Sequence, residues 1–237
     1  MEKFNFSIRI FPYLMANIYD KAMHNAEVRC LQEWRAELLN STSGTVLEIG
    51  AGSGLNLAFY PNTVSELYLL EPDKTMRIKL EEKILSDHGH NKNIKVIATT
   101  AESIPLPDNS CDHIVSTLVL CSVLDIEKVL SEVKRILKPQ GKFIFIEHVA
   151  AKNKLARLKW QHRLEPIWKI IACGCHLTRE TEKTIQNAGF KFIEISHQSI
   201  RGVPAIVRPS IKGIAIKEVQ EPEQLTELMQ EMSNIKN

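Results

Sequence analysis

The sequence has no stretch of about eighteen uncharged apolar residues, the length that a membrane-spanning helix needs. It also has little net charge, because 30 basic residues stand against 28 acidic ones and leave a formal charge of +2. A chain that binds nucleic acid usually concentrates basic charge, and this balance gives no sign of it. We therefore expect no transmembrane segment and no nucleic-acid partner.

Cysteine is odd in number and has no regular spacing. The cysteines are Cys30, Cys111, Cys121, Cys173 and Cys175. This pattern favours reduced thiols in the cytoplasm over a secreted disulfide scaffold. The opening segment from Phe4 to Met15 is apolar but interrupted by charges and a proline, and it lacks the cleavage site of a signal peptide. We expect a cap helix over an active site there, with peripheral membrane contact as the alternative.

The 237 residues suffice for one large α/β domain, and 44% hydrophobic with 24% charged residues is an ordinary globular composition. Seven strand-like runs, most of them separated by helical patterns, predict a mostly parallel, doubly wound sheet with helices on both faces. We expect a single domain over 1–217, made of a helical cap (1–43) and a Rossmann-like core (44–217). The core would include an insertion at 151–188 that roofs the substrate, and 218–237 would be an acidic tail.

The most informative stretch runs from Val46 to Gly54, where a predicted strand containing Glu48 leads into Gly50, Gly52 and Gly54. Glycine allows positive φ and leaves no Cβ between the main chain and a ligand. The spacing Gly-x-Gly-x-Gly differs from the dinucleotide fingerprint Gly-x-Gly-x-x-Gly, and a carboxylate beside the turn would repel a pyrophosphate. It would suit a cation such as a sulfonium with an α-ammonium group. The pattern resembles the first motif of class I S-adenosylmethionine (SAM) methyltransferases; a dehydrogenase or a structural glycine turn is the alternative.

The ends of later strands offer further candidate contacts to such a ligand. Glu71 ends the predicted second strand, where a carboxylate can accept both ribose hydroxyls; a solvated strand end is the alternative. Ala101 and Glu102 follow the third strand and are candidates for the adenine, and Met76 stands where this superfamily often has an apolar adenine contact. The full predicted cofactor-binding set is Glu48, Gly50, Ala51, Gly52, Gly54, Asn56, Glu71, Pro72, Met76, Ala101, Glu102, Thr117 and Leu118.

The segment 117–123 follows the predicted fourth strand, a position that usually faces the transferred methyl group. It contains neither the Asn/Asp-Pro-Pro-Tyr of base-flipping DNA methyltransferases nor a Pro-Cys nucleophile, and Cys121 is expected to be a buried apolar thiol. Because the segment is apolar, we expect a small-molecule or lipid-like acceptor. The predicted substrate pocket consists of Tyr19, Cys121, His148, Trp160 and Trp168, with a packed core tyrosine as the alternative for Tyr19.

Two residues are candidates for catalysis. His148 ends the predicted fifth strand, and an imidazole with an ordinary pKa near 6.5 can accept a proton or pair with a thiolate; a structural histidine is the alternative. Arg179 is either a pocket cation or part of a surface ion pair. The segment from Cys173 to His176 looks metal-binding, but it supplies at most three ligands and no second Cys/His pair is evident, so no metal is predicted.

Helical patterns flank these candidates in the predicted roof. Ala156–Ile171 is predicted to be an aromatic-rich helix interrupted at Pro166. The segment Thr178–Thr181 is predicted to be the N-cap of a further helix that runs through Ala188 and stops at Gly189.

Together, the motifs resemble the methyltransferase type 11 family, including its Leu-Pro-x-Pro-Asp-x-x-x-Asp element from Ile104 to Asp112. More narrowly, they are similar to the methyltransferase-like 7 group of alkyl thiol methyltransferases. The segments that carry the narrower resemblance are Asn56 with Phe59–Pro61, Thr117–Val123, Glu147–Ala151 and Gly174–Cys175 with Leu177–Glu180. Two features differ: animal members have a full N-terminal hydrophobic anchor, and their ribose-binding acid is Asp where this chain has Glu71.

The resemblance implies a class I methyltransferase fold, SAM as donor, S-adenosylhomocysteine as its product, and a thiol as acceptor. Alternatives are a methyltransferase for a phospholipid amine or a quinone precursor, and a non-catalytic SAM-binding module that regulates a partner. We expect a monomer or weak dimer.

Overall fold

The computed structural model describes residues 23–86 and 93–218, and within these ranges seven strands form one sheet in the order β3-β2-β1-β4-β5-β7-β6. The strands are β1 (Gly44–Ile49), β2 (Val64–Leu70), β3 (Asn93–Ile97), β4 (Cys111–Thr117), β5 (Leu137–His148), β6 (Phe190–Ser199) and β7 (Pro209–Lys217). Neighbouring strands are parallel except β7, which is antiparallel to both β5 and β6. The prediction of a mostly parallel seven-stranded sheet is confirmed.

Five helices accompany the sheet in the described ranges. They are α1 (Gln32–Leu39), α2 (Lys74–Ser86), α3 (Ile126–Ile136), α4 (Leu155–Ile171) and α5 (Thr181–Asn187), with a π-helical turn at Glu27–Leu31 and 3-10 turns at Leu57–Phe59 and Ala205–Val207. In the part of the chain that the structure describes, no helix has both the length and the apolar character needed to cross a membrane. Tyr19, most of the predicted cap and the predicted tail beyond residue 218 lie outside the described residues.

The core consists of two apolar layers, one on each face of the sheet. Strand β5 shows the division, because Phe143 and Phe145 belong to one layer and Ile144 and Ile146 to the other. This alternation is what the two-residue period of a strand buried on both faces requires. Helix α3 covers the first layer and α1 the second. The carboxyl ends of the parallel strands are thereby left to carry the functional side chains.

Helix α3 illustrates why the sequence signals worked. The Asp125 side chain accepts a hydrogen bond from the Lys128 N–H (2.9 Å) and so caps the first turn. The helix places its apolar residues at helical spacing on one buried face: Ile126, Val129, Leu130, Val133 and Ile136. Burial of that stripe fixes the helix against the sheet, as the periodicity predicts.

One expectation about the predicted roof was wrong. Helix α4 runs through Pro166 without interruption. Proline removes one hydrogen bond inside a helix, but Pro166 is exposed, so solvent can satisfy the carbonyl that loses its partner. Helix α5 begins at Thr181, and its N-cap residue is Glu180, which lies within the predicted capping segment 178–181. The Thr178 N–H donates to Glu165 (3.1 Å) on α4, because the segment between these helices folds back onto α4.

Candidate active site

The turn after β1 holds three glycines at positive φ: 63° at Gly50, 57° at Gly52 and 81° at Gly54. A Cβ on Gly50 would lie 2.5 Å from Val119 Cγ2, and one on Gly54 would lie 2.7 Å from Leu57 Cδ1. A Cβ on Gly52 would meet nothing within 4 Å. Two of the glycines therefore serve internal packing, and Gly52 leaves the main chain open on the side where a ligand can approach.

Glu71 lies beside the open glycine. Its Oε2 accepts a hydrogen bond from the Gly52 N–H (2.8 Å) and its Oε1 accepts one from the Asp73 N–H (2.9 Å). Burial raises the pKa of the Glu71 carboxyl, and these backbone donors oppose the rise. Pro72 is exposed, and Met76 is half-buried in the first turn of α2, where its N–H donates to Asp73 Oδ1 (2.8 Å). The structure thus brings the predicted ribose ligand to the predicted donor turn.

Glu48 belongs to a buried network rather than to the surface of the turn. Its Oε1 accepts from Asn56 Nδ2 (2.9 Å), and its Oε2 accepts from the Tyr60 hydroxyl (2.7 Å). Asn56 is fixed in turn, because its Oδ1 accepts from Arg35 Nη1 (2.5 Å). Loss of hydration raises the pKa of Glu48 from 4.5 to about 7, although its hydrogen bonds and Arg35 lower it. Direct contact of Glu48 with a cationic donor stays a prediction.

Arg35 was missed by sequence reasoning, and a local irregularity explains why. Its Nε and Nη2 donate to the two carboxylate oxygens of Glu27 at 3.1 and 2.9 Å, and both side chains are buried. In a regular α-helix, eight residues leave two side chains about 80° apart. The π-helical turn at Glu27–Leu31 takes up one extra residue, which brings the two onto nearly the same face. A buried bidentate pair follows from that turn.

The predicted adenine-binding pair lies at the entry to α3. Ala101 is buried, and Glu102 Oε1 accepts from the N–H groups of Leu124 (3.0 Å) and Asp125 (3.4 Å). This carboxylate therefore ties the segment after β3 to the start of α3. Its contact with an adenine amino group stays a prediction.

The segment 118–123 after β4 is held from one side by Glu147. Glu147 is fully buried, and its Oε1 accepts three hydrogen bonds: from the Ser116 hydroxyl (2.6 Å) and from the N–H groups of Val119 and Leu120 (both 3.1 Å). Within the same segment Leu118 takes a left-handed conformation at φ 59°, which is costly for a leucine. The buried carboxylate fixes a backbone that would otherwise relax.

Arg179 and Asn56 hold the same segment at other points. The Arg179 guanidinium donates through Nη1 to the Leu120 carbonyl and through Nη2 to the Val123 carbonyl (2.5 Å). Thr117, where the segment leaves β4, accepts from Asn56 Nδ2 (3.2 Å) and so links the segment to the Glu48 network. The structure gives Arg179 backbone carbonyl partners, so it is a positioning residue in this geometry.

Cys121, His148 and Cys175 form a buried cluster, called the Cys2His cluster below. Their donor atoms, two Sγ and one imidazole nitrogen, all lie within 4.8 Å of one another, and His148 Nε2 is 2.8 Å from Cys175 Sγ. The exposed fractions are 2%, 5% and 8%. A hydrogen bond from Cys121 and then the His148 imidazole lower the pKa of Cys175 to about 4, and the same contact raises the pKa of Cys121. Cys121 is buried, as expected, but its setting is not purely apolar, because the Cys175 sulfur and a His148 ring nitrogen lie within 4.8 Å of its own sulfur.

The structure divides the motif from Cys173 to His176 among different environments. Cys173 is exposed, and His176 Nδ1 pairs with Glu165 Oε1 at 3.2 Å. Only Cys175 joins the cluster, where the His176 N–H donates to the Cys121 carbonyl (2.8 Å) and ties the two loops together. Sequence reasoning counted ligands within one motif and therefore missed partners that come from the ends of β4 and β5.

Comparison with known proteins identifies the kind of enzyme that carries this site. A family of methyltransferase domains matches residues 47–145. The rat thiol S-methyltransferase TMT1B is 38% identical over 213 residues, which cover 87% of this chain and 86% of the relative. The human thiol S-methyltransferase TMT1A is 33% identical over 211 residues with the same coverage. This chain belongs to the family of methyltransferases that includes these two relatives.

Solved structures confirm the class I fold of this methyltransferase. The YcgJ protein of Bacillus subtilis superposes with a TM-score of 0.61 at 21% identity, covering 79% of this chain and 100% of that one. The [4+2]-cyclase SpnF superposes with a TM-score of 0.66 at 15% identity, covering 90% and 97%. Since a protein named as a cyclase shares the fold, the architecture alone does not decide the reaction. The sequence relatives establish that this chain is a SAM-dependent methyltransferase.

The two predicted pocket tryptophans of the methyltransferase differ in environment. Trp160 is 55% exposed, and the Arg163 guanidinium lies 5.8 Å from its ring centroid. Trp168 is half-buried and is among the groups that lower the pKa of Cys175. It does so through a hydrogen bond from its indole N–H, whose nitrogen is buried. The structure therefore brings Trp168, and not Trp160, to the Cys2His cluster.

Proposed function

We propose that this methyltransferase transfers the methyl group of SAM to the sulfur of a small, rather apolar thiol. The observation that carries the proposal is the similarity to thiol S-methyltransferases across 87% of this chain. The Cys2His cluster supports it, because sulfur and imidazole groups beside an apolar segment suit a soft, weakly hydrated nucleophile. The free cysteines support a cytoplasmic site of action. The proposal includes a monomer or weak dimer, and peripheral contact with a membrane as the alternative to a fully cytoplasmic location.

The residues at the glycine turn fit the donor. Gly52 offers open main chain, and the Glu71 carboxylate lies against it at the carboxyl edge of the sheet, the place where doubly wound folds bind nucleotides. Gly52 and its neighbours would hold the methionine part, Glu71 the ribose, and Ala101 with Glu102 the adenine. When bound, SAM supplies a methyl group on a positively charged sulfur, so the enzyme needs no covalent intermediate.

The protein's own contribution is positioning. The segment 118–123 contacts the glycine turn, where Val119 packs on Gly50, and also contains Cys121 of the Cys2His cluster. Glu147 and Arg179 hold that segment by four hydrogen bonds in total, two to the carboxylate and two from the guanidinium. Fixing two reactants at a productive distance can supply a large part of a rate enhancement. We therefore assign Arg179 to positioning and His148 to the acceptor side.

The test is an acceptor competition with methyl-labelled SAM. The full-length enzyme is incubated with an alkyl thiol, phosphatidylethanolamine and a demethylated quinone precursor in separate reactions, and the labelled products are separated. We expect label in the methyl thioether. Gly52→Arg should abolish both SAM binding in calorimetry and all transfer, whereas Ala58→Arg adds the same charge at an exposed position nearby and should retain both.

Other outcomes would contradict the proposal in distinct ways. Label found only in the lipid amine or only in the quinone product would reject the thiol. Tight SAM binding with no transfer to any acceptor would favour a regulatory module. Unchanged SAM affinity in Gly52→Arg would refute the placement of the donor at the glycine turn.

A further inference from the structure

We propose that Cys121, His148 and Cys175 bind a zinc ion and leave its fourth position for the sulfur of the acceptor. The zinc site rests on the geometry of the three side chains alone. The identity of the fourth ligand rests on the proposed function. The two parts are therefore tested by separate measurements.

The distances suit a tetrahedral ion after a small adjustment. Zinc binds thiolate sulfur at about 2.3 Å and imidazole nitrogen at about 2.0 Å, which places tetrahedral donor atoms about 3.5–3.8 Å apart. The three donor atoms of the Cys2His cluster lie within 4.8 Å of one another. The closest pair, His148 Nε2 and Cys175 Sγ at 2.8 Å, would have to separate by about 0.7 Å, a movement within reach of side-chain rotation.

The donor set selects the metal. Two sulfurs and one imidazole suit zinc, whereas Mg²⁺ and Ca²⁺ prefer oxygen ligands. Structural zinc sites have four protein ligands, but catalytic ones have three and keep a position for water or substrate. Among the described residues, the group that satisfies this pattern is Cys121, His148 and Cys175, with three ligands and no fourth. That composition matches a catalytic site.

The fold holds the three ligands in place from separate elements. His148 is the last residue of β5, where it pairs with Ser210 of β7. Cys121 lies in the segment fixed by Glu147 and Arg179. The His176 N–H donates to the Cys121 carbonyl, and this bond holds the preceding residue, Cys175, next to Cys121. The cluster is thus preorganised by backbone contacts that do not depend on a metal.

One unpaired polar atom lies at the same place. His148 Nδ1 is buried and has no hydrogen-bond partner among the described residues. Buried polar groups are almost always paired, so this nitrogen marks the cluster as a place where a polar partner is missing. The Trp168 indole already has a partner, because its hydrogen bond lowers the pKa of Cys175. This observation is independent of the ligand distances.

The reaction balances without any redox partner. Coordination of the acceptor thiol to zinc releases its proton to solvent and leaves a thiolate, whose electron pair forms the new bond to the methyl carbon. The bond between that carbon and the donor sulfur breaks, and its electron pair stays on the donor sulfur, which becomes a neutral thioether. The methylated acceptor is also a neutral thioether, a weaker zinc ligand than thiolate, and so it leaves.

The first experiment measures metal in the full-length protein purified under reducing conditions. We expect about one zinc per chain by mass spectrometry, and loss of that zinc in Cys121→Ser, Cys175→Ser and His148→Ala. Cys173→Ser is the matched control, because Cys173 is an exposed cysteine two residues from Cys175 and outside the cluster. It should keep its zinc.

The second experiment uses cobalt(II) in place of zinc. Wild-type protein should show thiolate-to-cobalt charge transfer and the visible bands of a tetrahedral ion, and an added alkyl thiol should shift these bands while its methyl thioether should not. Removal of zinc by a chelator should leave SAM affinity unchanged and slow thiol methylation by about 30-fold at pH 7, since a free thiol with a pKa near 8.5 is only about 3% ionised there.

Each outcome decides one part. Wild-type protein without zinc and without cobalt charge transfer would overturn the metal site and leave a thiol–imidazole pair, whatever the acceptor assay shows. Bound metal whose cobalt bands do not shift when the alkyl thiol is added would overturn the assignment of the acceptor sulfur as the fourth ligand. Bound zinc with label only in a lipid amine would refute the proposed function and not the metal site. If a variant fails to fold by circular dichroism, the wild-type cobalt spectrum still decides.

Discussion

The buried carboxyl of Glu48 should make the stability of this enzyme fall as the pH rises from about 4.5 to 7. Its pKa is about 7 in the folded protein against an ordinary value of 4.5, chiefly because burial disfavours the charged form. In that pH interval the folded state holds the proton and the unfolded state has lost it, so raising the pH favours unfolding. At about 1.4 kcal/mol for each pH unit, the interval corresponds to about 3 kcal/mol.

The variant Glu48→Gln isolates this contribution. The amide oxygen can accept from Asn56 Nδ2, as the carboxylate does, and the amide nitrogen can donate to the Tyr60 hydroxyl. The packing is thereby preserved while the titration is removed. Urea unfolding of both proteins at pH 5 and pH 7.5 gives the difference in their free energies of unfolding. We expect the variant to gain about 2.5 kcal/mol relative to wild type between the two pH values.

Comparing the two proteins cancels the other titrating groups. His113, whose pKa is lowered mainly by burial, pulls the stability of wild type in the opposite direction but does so equally in the variant. If the difference between wild type and Glu48→Gln is the same at pH 5 and pH 7.5, Glu48 does not titrate as its surroundings require and the reasoning is refuted.

Three further predictions concern the glycine turn, the cap of helix α3 and the segment 118–123. Gly52→Ala should lower the free energy of unfolding by about 1–2 kcal/mol, because alanine is strained at the positive φ of Gly52. Gly54→Ala should lower it by about 1–3 kcal/mol more, because its Cβ would meet side chains at 2.7 and 2.8 Å. Thermal unfolding that ranks Gly52→Ala as the less stable variant would contradict this account of the packing. Asp125→Ala should lose about 1 kcal/mol of unfolding free energy with SAM affinity unchanged in calorimetry. Arg179→Lys should slow methyl transfer about tenfold at constant SAM affinity, because lysine lacks the planar guanidinium that donates to two carbonyls in a fixed geometry. A changed SAM affinity with an unchanged rate would contradict a positioning role.

The fold was predictable because its signals are local. The glycine turn, the apolar runs and the helix stops lie within short windows, and the apolar spacing over 125–137 predicts the helix that is found as α3 at Ile126–Ile136. The exposed proline in α4 shows the limit of a local rule, since the cost of a breaker depends on whether its freed carbonyl reaches solvent.

The site was less predictable because its contacts join distant segments. Cys121, His148 and Cys175 come from three different loops or strand ends, and no spacing within one motif reveals that they meet. Arg35 pairs with Glu27 because a π-helical turn brings the two side chains onto nearly the same face, and that turn has no evident sequence signal. Sequence analysis placed Cys121 and His148 in the substrate pocket and predicted no metal; the tertiary fold groups them with Cys175.

The position of β7 between β5 and β6 has a consequence for biosynthesis. Strand β5 pairs with β7 along Lys142–His148, yet about sixty residues separate their sequences, so the ribosome releases β5 long before its second neighbour exists. Until the nascent chain has been made through Lys217, β5 is an open edge and the strand end bearing His148 lacks Ser210 beside it. A chaperone that shields this edge during translation would therefore raise the yield of active enzyme more than one acting on the amino-terminal half.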